Sequence, residues 1–206
     1  MATLADLRAR IADDLDRSDL TSQIDAAIRD AVEHYESERF VFNEVVGATA
    51  TFSSSVDSIP LASLPVAFTR VDRIRIDDGG ADLVDLVPRD YAWLMAAQDA
   101  RAVARPVEYC IYADRIQLDS RPDRDYAAIL DGVRRISTAS AATDSSAWFN
   151  DGKRLVRARA KAELYAHVIK EFPQAEAMAA VERREYRALK QKLNTRNSGR
   201  VRPTEF

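Results

Sequence analysis

The spacing of apolar residues changes twice along this chain, and that constrains its fold more than any single motif. Leu4, Leu7, Ile11 and Leu15 recur at intervals of three and four, which predicts a helix over 3–16. "RSDLTS" then supplies a break rich in N-capping residues. Ile24, Ala27, Ile28, Ala31 and Tyr35 line one face of a second helix, expected to run to about Arg39. In "VEHYESERFVFNE", Phe40, Val41 and Phe42 then read as the crossing into a β part. Phe40 and Phe42 share a side if the chain there is extended.

The middle of the chain is β-branched and rich in turn residues. "VVGATATFSSSVDSIPLASLP" carries a serine cluster, with Pro60 and Pro65 as punctuation. "VDRIRIDDGGADLVDL" predicts a hairpin turning at "DDGG". "VPRDYAWLMAAQDARAVA" predicts a helix with Pro88 near its first turn. "VEYCIYADRIQLDSRP" reads as two short strands around a tight "AD" turn, and "DYAAILDGVRRIS" as another strand. "TASAATDSSA" is a polar linker. From Trp148 the helical spacing returns, through Leu155, Ala158, Ala162, Tyr165, Ile169 and Phe172. Pro173 starts a new helix or kinks the old one. The last helix is expected to reach about Asn194, and "TRNSGRVRPTEF" has no periodicity.

Neither terminal helix pair makes a domain alone. The expected fold is therefore α+β: a helical bundle made from the N-terminal and C-terminal pairs, with an inserted antiparallel β region and an extended C-terminal tail. The expected bounds are one domain over 1–194, with helices at 3–39 and 148–194, a β-rich insertion at 44–140, and a flexible arm at 195–206.

Charge is divided between the ends. Residues 1–44 hold 11 Asp/Glu against 5 Lys/Arg, and residues 183–206 hold 8 Lys/Arg against 2 Asp/Glu. Such ends meet each other, a neighbouring copy or a charged partner, or else are solvated faces of opposite sign. No apolar run approaches the roughly 20 residues that span a bilayer. "MATLADLRARIADDLD" lacks the apolar core of an export signal. Cys110 is the only cysteine, so no intrachain disulfide can form.

The candidates for chemistry are thin. His34 and Glu38 lie one helical turn apart, but no third ligand is close in sequence, and zinc sites draw on several His or Cys at short spacing. The plainer reading sets His34 beside Tyr35 and pairs it with Glu38 on the surface. His167 has the same standing. There is no "GxSxG", and the serines lie in turns. Cys110 sits in an apparent strand without a cationic neighbour, as a buried small residue would. Gly79 and Gly80 lack the context of a phosphate loop. Asp114, Asp119, Asp123 and Asp125 do not have the spacing of a calcium loop and read as turn residues. No catalytic residue, metal or cofactor is expected. The feature with functional weight is the basic C-terminus. Arg183, Arg184, Arg187, Lys190 and Lys192 lie on the last helix, and Arg196, Arg200 and Arg202 follow. These residues suit a nucleic-acid backbone or an acidic protein surface, although few aromatics interleave to stack on bases.

Taken together, the chain resembles the head–tail adaptor (connector, or head-completion) proteins of tailed bacteriophages over nearly its whole length. "TLADLRARIADDLDRSDLTSQIDAAIRDAVEHYESERFVFNE" is similar to the family's opening helix pair and its aromatic "ERF.FNE" segment. "SIPLASLPVAFTRVDRIRI" resembles the strand–"lP"–strand pattern that follows. "PVEYCIYADRIQLDSRPDRDYAAIL" resembles the family hairpin, with Ser120 where a first proline is common and Pro122 retained. "AWFNDGKRLVRARAKAELYAHVIKEF" and the helix ending in "YRALKQKLN" complete it.

The resemblance implies a non-enzymatic structural virion protein. It implies a homo-oligomeric ring, commonly a dodecamer, between the portal protein and the tail (nozzle or tail-completion) protein of a DNA-filled capsid, synthesised in the host bacterial cytoplasm. Genomic DNA in the channel would be met non-specifically, and no membrane is involved. By analogy residues 195–206, with Arg196, Arg200, Val201, Arg202 and Phe206, form a portal-binding arm. Arg183, Arg184, Arg187, Lys190 and Lys192 are candidate inter-subunit or partner charges. Two rivals remain from the residues themselves. One is a small DNA-binding protein using the basic helix and tail. The other is an enzyme built from scattered carboxylates.

Overall fold

The structure, a computed structural model, describes residues 2–80, 82–97, 102–137, 141 and 143–197. The fold is mixed α+β, and the chain divides into two compact units. One combines residues 1–43 and 136–206, and the other is residues 44–135.

In the first unit, α1 (Leu4–Leu15) opens with a capping box. The Thr3 hydroxyl accepts from the Asp6 amide and the Asp6 carboxylate accepts from the Thr3 amide. Leu4, Leu7 and Ile11 are its buried stripe, as their spacing predicts. Helix α2 (Thr21–Tyr35) buries Ile24, Ala27, Ile28, Ala31, Val32 and Tyr35. It ends at Tyr35, four residues short of the expected Arg39. Phe40 and Phe42 do not begin a strand either, because Val41–Asn43 is a 3-10 turn. The Asn43 side chain closes that turn: its Oδ1 accepts from the Phe40 amide at 2.8 Å and its Nδ2 donates to the Glu38 carbonyl at 2.8 Å.

The C-terminal helices are more broken than their spacing predicts. They are α4 (Ala147–Asn150), α5 (Lys153–Glu163), a π-helical turn (Leu164–Ile169) and α6 (Phe172–Asn197). Lys170 adopts a left-handed conformation and ends the π turn, and Pro173 sits at the second position of α6, where its missing N–H costs nothing. One apolar core joins α1, α2, α4 and α5, centred on fully buried Trp148. The Trp148 indole N–H donates to the Ile136 carbonyl at 3.1 Å.

The second unit holds two four-stranded sheets. The strands are β1 (Glu44–Phe52), β2 (Ser58–Pro60), β3 (Phe68–Asp77), β4 (Val84–Asp85), β5 (Val87–Pro88), β6 (Glu108–Tyr112), β7 (Arg115–Leu118) and β8 (Tyr126–Arg134), with α3 (Tyr91–Ala97) between β5 and β6. The sheet orders are β1-β8-β3-β4 and β2-β7-β6-β5. Pairing is antiparallel except between β5 and β6, which run parallel. Pro88 therefore lies in an edge strand, not in the first turn of a helix. Asp90 caps α3 instead, its carboxylate accepting from the Trp93 amide at 2.8 Å.

The expected hairpins form. β3 and β4 pair across "DDGG", and β6 and β7 turn at Ala113 and Asp114, both at positive φ as such a tight turn requires. Alternate residues Tyr126, Ala128 and Leu130 of β8 face one core with Ile116 and Leu118 of β7 and with Val71, Ile74 and Ile76 of β3, where the register shift between Val71 and Arg73 breaks the alternation. Two glycines shape the first sheet. Gly47 (φ 77°) forms a bulge in β1, its amide donating to Asp131 at 2.8 Å. Gly132 lies where β3 and β8 shift register, and a Cβ there would fall 2.2 Å from the Arg70 carbonyl oxygen.

Candidate functional site

The chemical candidates disperse in the structure. His34 packs edge-on against Tyr35, with ring centres 4.7 Å apart, and its charge is a minor influence on Glu38. Glu38 instead accepts from Lys190 at 2.6 Å and from the Tyr186 hydroxyl at 3.1 Å. The Lys190 ammonium is the main reason its carboxyl is held below the ordinary carboxylate range. His167 is exposed and lies 3.3 Å from Glu163. Among the described residues, no three His, Cys, Asp or Glu side chains converge as metal ligands. Cys110 is buried, and burial pushes its thiol up, away from the reactive thiolate. The aspartates of the β unit serve local structure. Asp114 is in a turn, Asp119 accepts from the Val107 amide, Asp123 from the Tyr126 hydroxyl and Asp125 from the Ser54 amide.

One pair, Glu38 with Lys190, joins the oppositely charged chain ends within the first unit, whereas Asp14 of the acidic end pairs with cations of α5. Asp14 of α1 accepts from Arg157 at 2.7 Å and from Lys161 at 3.2 Å on α5. Glu38 holds Lys190 of α6, and that ammonium also donates to the Arg39 carbonyl at 3.0 Å. Lys190 further stands 4.9 Å from the Phe40 ring centre. It is thus committed inside the unit. Arg184 is exposed beside Glu185 at 3.3 Å. Arg183, Arg187 and Lys192 are exposed on α6. Arg196 falls in the last turn of α6, and Arg200, Val201, Arg202 and Phe206 lie outside the described residues.

Behind Lys190 is an aromatic cluster. Phe40 and Phe42 stack with ring centres 5.3 Å apart and planes 6° from parallel. Trp148 meets both edge-on, at 5.6 and 4.9 Å. Tyr186 of α6 stacks on Tyr35 at 5.8 Å. The Tyr35 hydroxyl donates to buried Glu182, which Arg159 also approaches at 3.4 Å. Burial first, and that carboxylate second, push the Tyr35 phenol well above its ordinary range. Nothing in the local spacing marks Glu182 as buried, because it sits in the charged run "VERREYR". The clustering of Phe40, Phe42 and Trp148 has only one signal in sequence, their number in two short stretches.

An open groove of about 830 Å³ remains beside this cluster. Phe40, Phe42, Ala188 and Leu189 line it, with Asp151 and Lys192 at hand for charge. A smaller cleft of about 300 Å³ between α5 and α6 is edged by Arg154, Arg157, Lys161 and Arg184 over Ala158, Met178 and Val181. The groove and the cleft bring no nucleophile, base and oxyanion donor together.

The family model of SU10 adaptor proteins matches residues 2–204. The chain belongs to this family. SU10 adaptors are head–tail adaptors of phages, so this adaptor is a structural virion protein that meets head and tail components. Such a family is generally non-enzymatic. No curated protein matches the chain. Among the described residues no helix of the adaptor is long and apolar enough to cross a membrane.

Proposed function

We propose that this adaptor assembles as a ring of identical subunits, dodecameric by analogy, between the portal and the tail of a tailed phage. The ring extends the DNA channel and gives the tail its docking surface. One observation carries the reading: the family match spans nearly the whole chain, so both units and α6 belong to the adaptor body. In this reading residues 44–135 are an insertion into a bundle closed by both chain ends. Residues 195–206 are the portal-binding arm, with Arg196, Arg200, Val201, Arg202 and Phe206 as its contacts. Arg183, Arg184, Arg187 and Lys192 offer exposed charge to neighbouring subunits, to the portal or to DNA. Lys190 is withdrawn from that set by its bond to Glu38.

The test is assembly on the portal. Full-length protein mixed with portal should add a ring visible by electron microscopy, and deleting residues 195–206 should abolish attachment while the circular dichroism spectrum stays unchanged. Attachment that survives the deletion removes the arm from the proposal, and the absence of any ring on the portal removes the proposal itself. The exposed arginines of α6 favour a second reading, duplex-DNA binding by the isolated chain. It predicts affinity that falls steeply with salt and drops on Arg183→Ala and Arg187→Ala.

A further inference from the structure

The helical unit carries an apolar knob and an apolar socket at opposite ends of one helix. Phe172, the first residue of α6, is 64% exposed, more than any other aromatic side chain among the described residues. Val168, four positions earlier, adds a second exposed apolar group there. Isolated exposed apolar residues are common, so the knob alone means little. Its counterpart is the groove of about 830 Å³ lined by Phe40, Phe42, Ala188 and Leu189. At about 1.5 Å per residue, Leu189 lies roughly 25 Å along α6 from Phe172. A single copy therefore cannot seat its own knob in its own socket.

Both surfaces also carry charges of either sign. Exposed Glu171 and Glu176 flank the knob, with Lys170 beside them. Lys192 and Asp151 flank the socket. A docked pair can set Lys192 against Glu171 or Glu176 and Asp151 against Lys170.

We infer that Phe172 of one copy inserts into the Phe40–Phe42–Leu189 socket of the next, making α6 the head-to-tail joint between subunits. The contact is heterologous: it leaves a free knob and a free socket at each step, so it propagates, and it closes into a ring where the rotation per copy allows. The inference rests on the ring reading and names the surface that builds it.

Two variants at exposed positions test it. Phe172→Asp removes the knob, and Ala188→Arg fills the socket. Each should keep the wild-type circular dichroism melt. Mass photometry of the full chain, alone and with portal protein, should show rings for wild type and lost rings for each variant. Mixing the two variants is decisive. Only the knob of Ala188→Arg and the socket of Phe172→Asp are intact, so the mixture should stop at one-to-one dimers. Where wild type assembles only on the portal, copies bound per portal are counted instead. Wild-type rings that survive both substitutions overturn the joint and leave the ring reading standing. So do dimers that form through Phe172 but ignore Ala188→Arg. Rings intact but portal attachment lost in Ala188→Arg assign the socket to the portal and overturn the joint. Wild type that never forms a ring overturns both readings.

Discussion

Tyr35 donates its hydroxyl hydrogen to Glu182, a partner 147 positions away, and so joins the end of α2 to α6 through a buried polar contact. Tyr35→Phe removes the donor and leaves a buried carboxylate short of one partner. We expect a loss of about 1–3 kcal/mol in urea unfolding. The double variant with Glu182→Gln should lose less than the sum of the single changes, because both act on one contact. Additive losses would show that the bond is not the cause.

Gly132 tolerates no side chain. Its Cβ position is 2.2 Å from the Arg70 carbonyl oxygen and 3.0 Å from the Val71 Cα, both backbone atoms that cannot rotate aside. Gly132→Ala should cost about 1–3 kcal/mol through forced separation of β3 and β8. A calorimetric melt within about 1 °C of wild type would mean that the strands part freely there.

The Glu38–Lys190 pair gives stability a defined pH dependence. The folded Glu38 pKa is lowered from the ordinary 4.5, chiefly by the Lys190 hydrogen bond. Unfolded chains therefore bind this proton more readily, and the contribution is present above about pH 4.5 and lost as pH falls through the lowered value. Glu38 is partly solvated, so the pair is worth under about 1 kcal/mol. Lys190→Met should be less stable than wild type at pH 7, and the gap should narrow as pH falls below about 4.5. A constant gap across that range would assign the effect to packing on Phe40 instead.

Cys110 should report unfolding. It is 2% exposed and its thiol is pushed up by burial. A thiol reagent at pH 8 should label native protein only as fast as the β unit opens, and label it at once in 6 M guanidinium. Rapid labelling of native protein would contradict the burial.

Much of the fold is legible in local chemistry. The Leu4–Leu7–Ile11 stripe follows from spacing, and the β6–β7 and "DDGG" hairpins from Asp114 and Gly79, residues suited to positive φ, although Ala113 takes up positive φ as well. The errors occur where tertiary contacts override local preference. "ESER" after Tyr35 is acceptable helix sequence, yet Asn43 bonding to Glu38 and to Phe40 turns the chain out of α2 early. Pro88 reads as a helix start until the parallel pairing of Val87 with Glu108 claims it for an edge strand. The candidate surface was legible only as a list of charges. Sequence spacing cannot separate Lys190, folded inward onto Glu38, from Arg187 one turn before it, which faces solvent. The apolar groove was not legible at all, since residues near 40, 151 and 189 must first be brought together.

The helical unit draws on residues 1–43 and 136–206, whereas the β unit is continuous over 44–135. On the ribosome this sets an order of events. Helices α1 and α2 emerge first but must wait, amphipathic and half-covered, while the β unit completes itself. Only when α5 and α6 leave the exit tunnel do Asp14 and Glu38 meet their lysines. A stalled or truncated nascent chain would therefore leave the Ile24–Tyr35 stripe uncovered and open to chaperones and proteases.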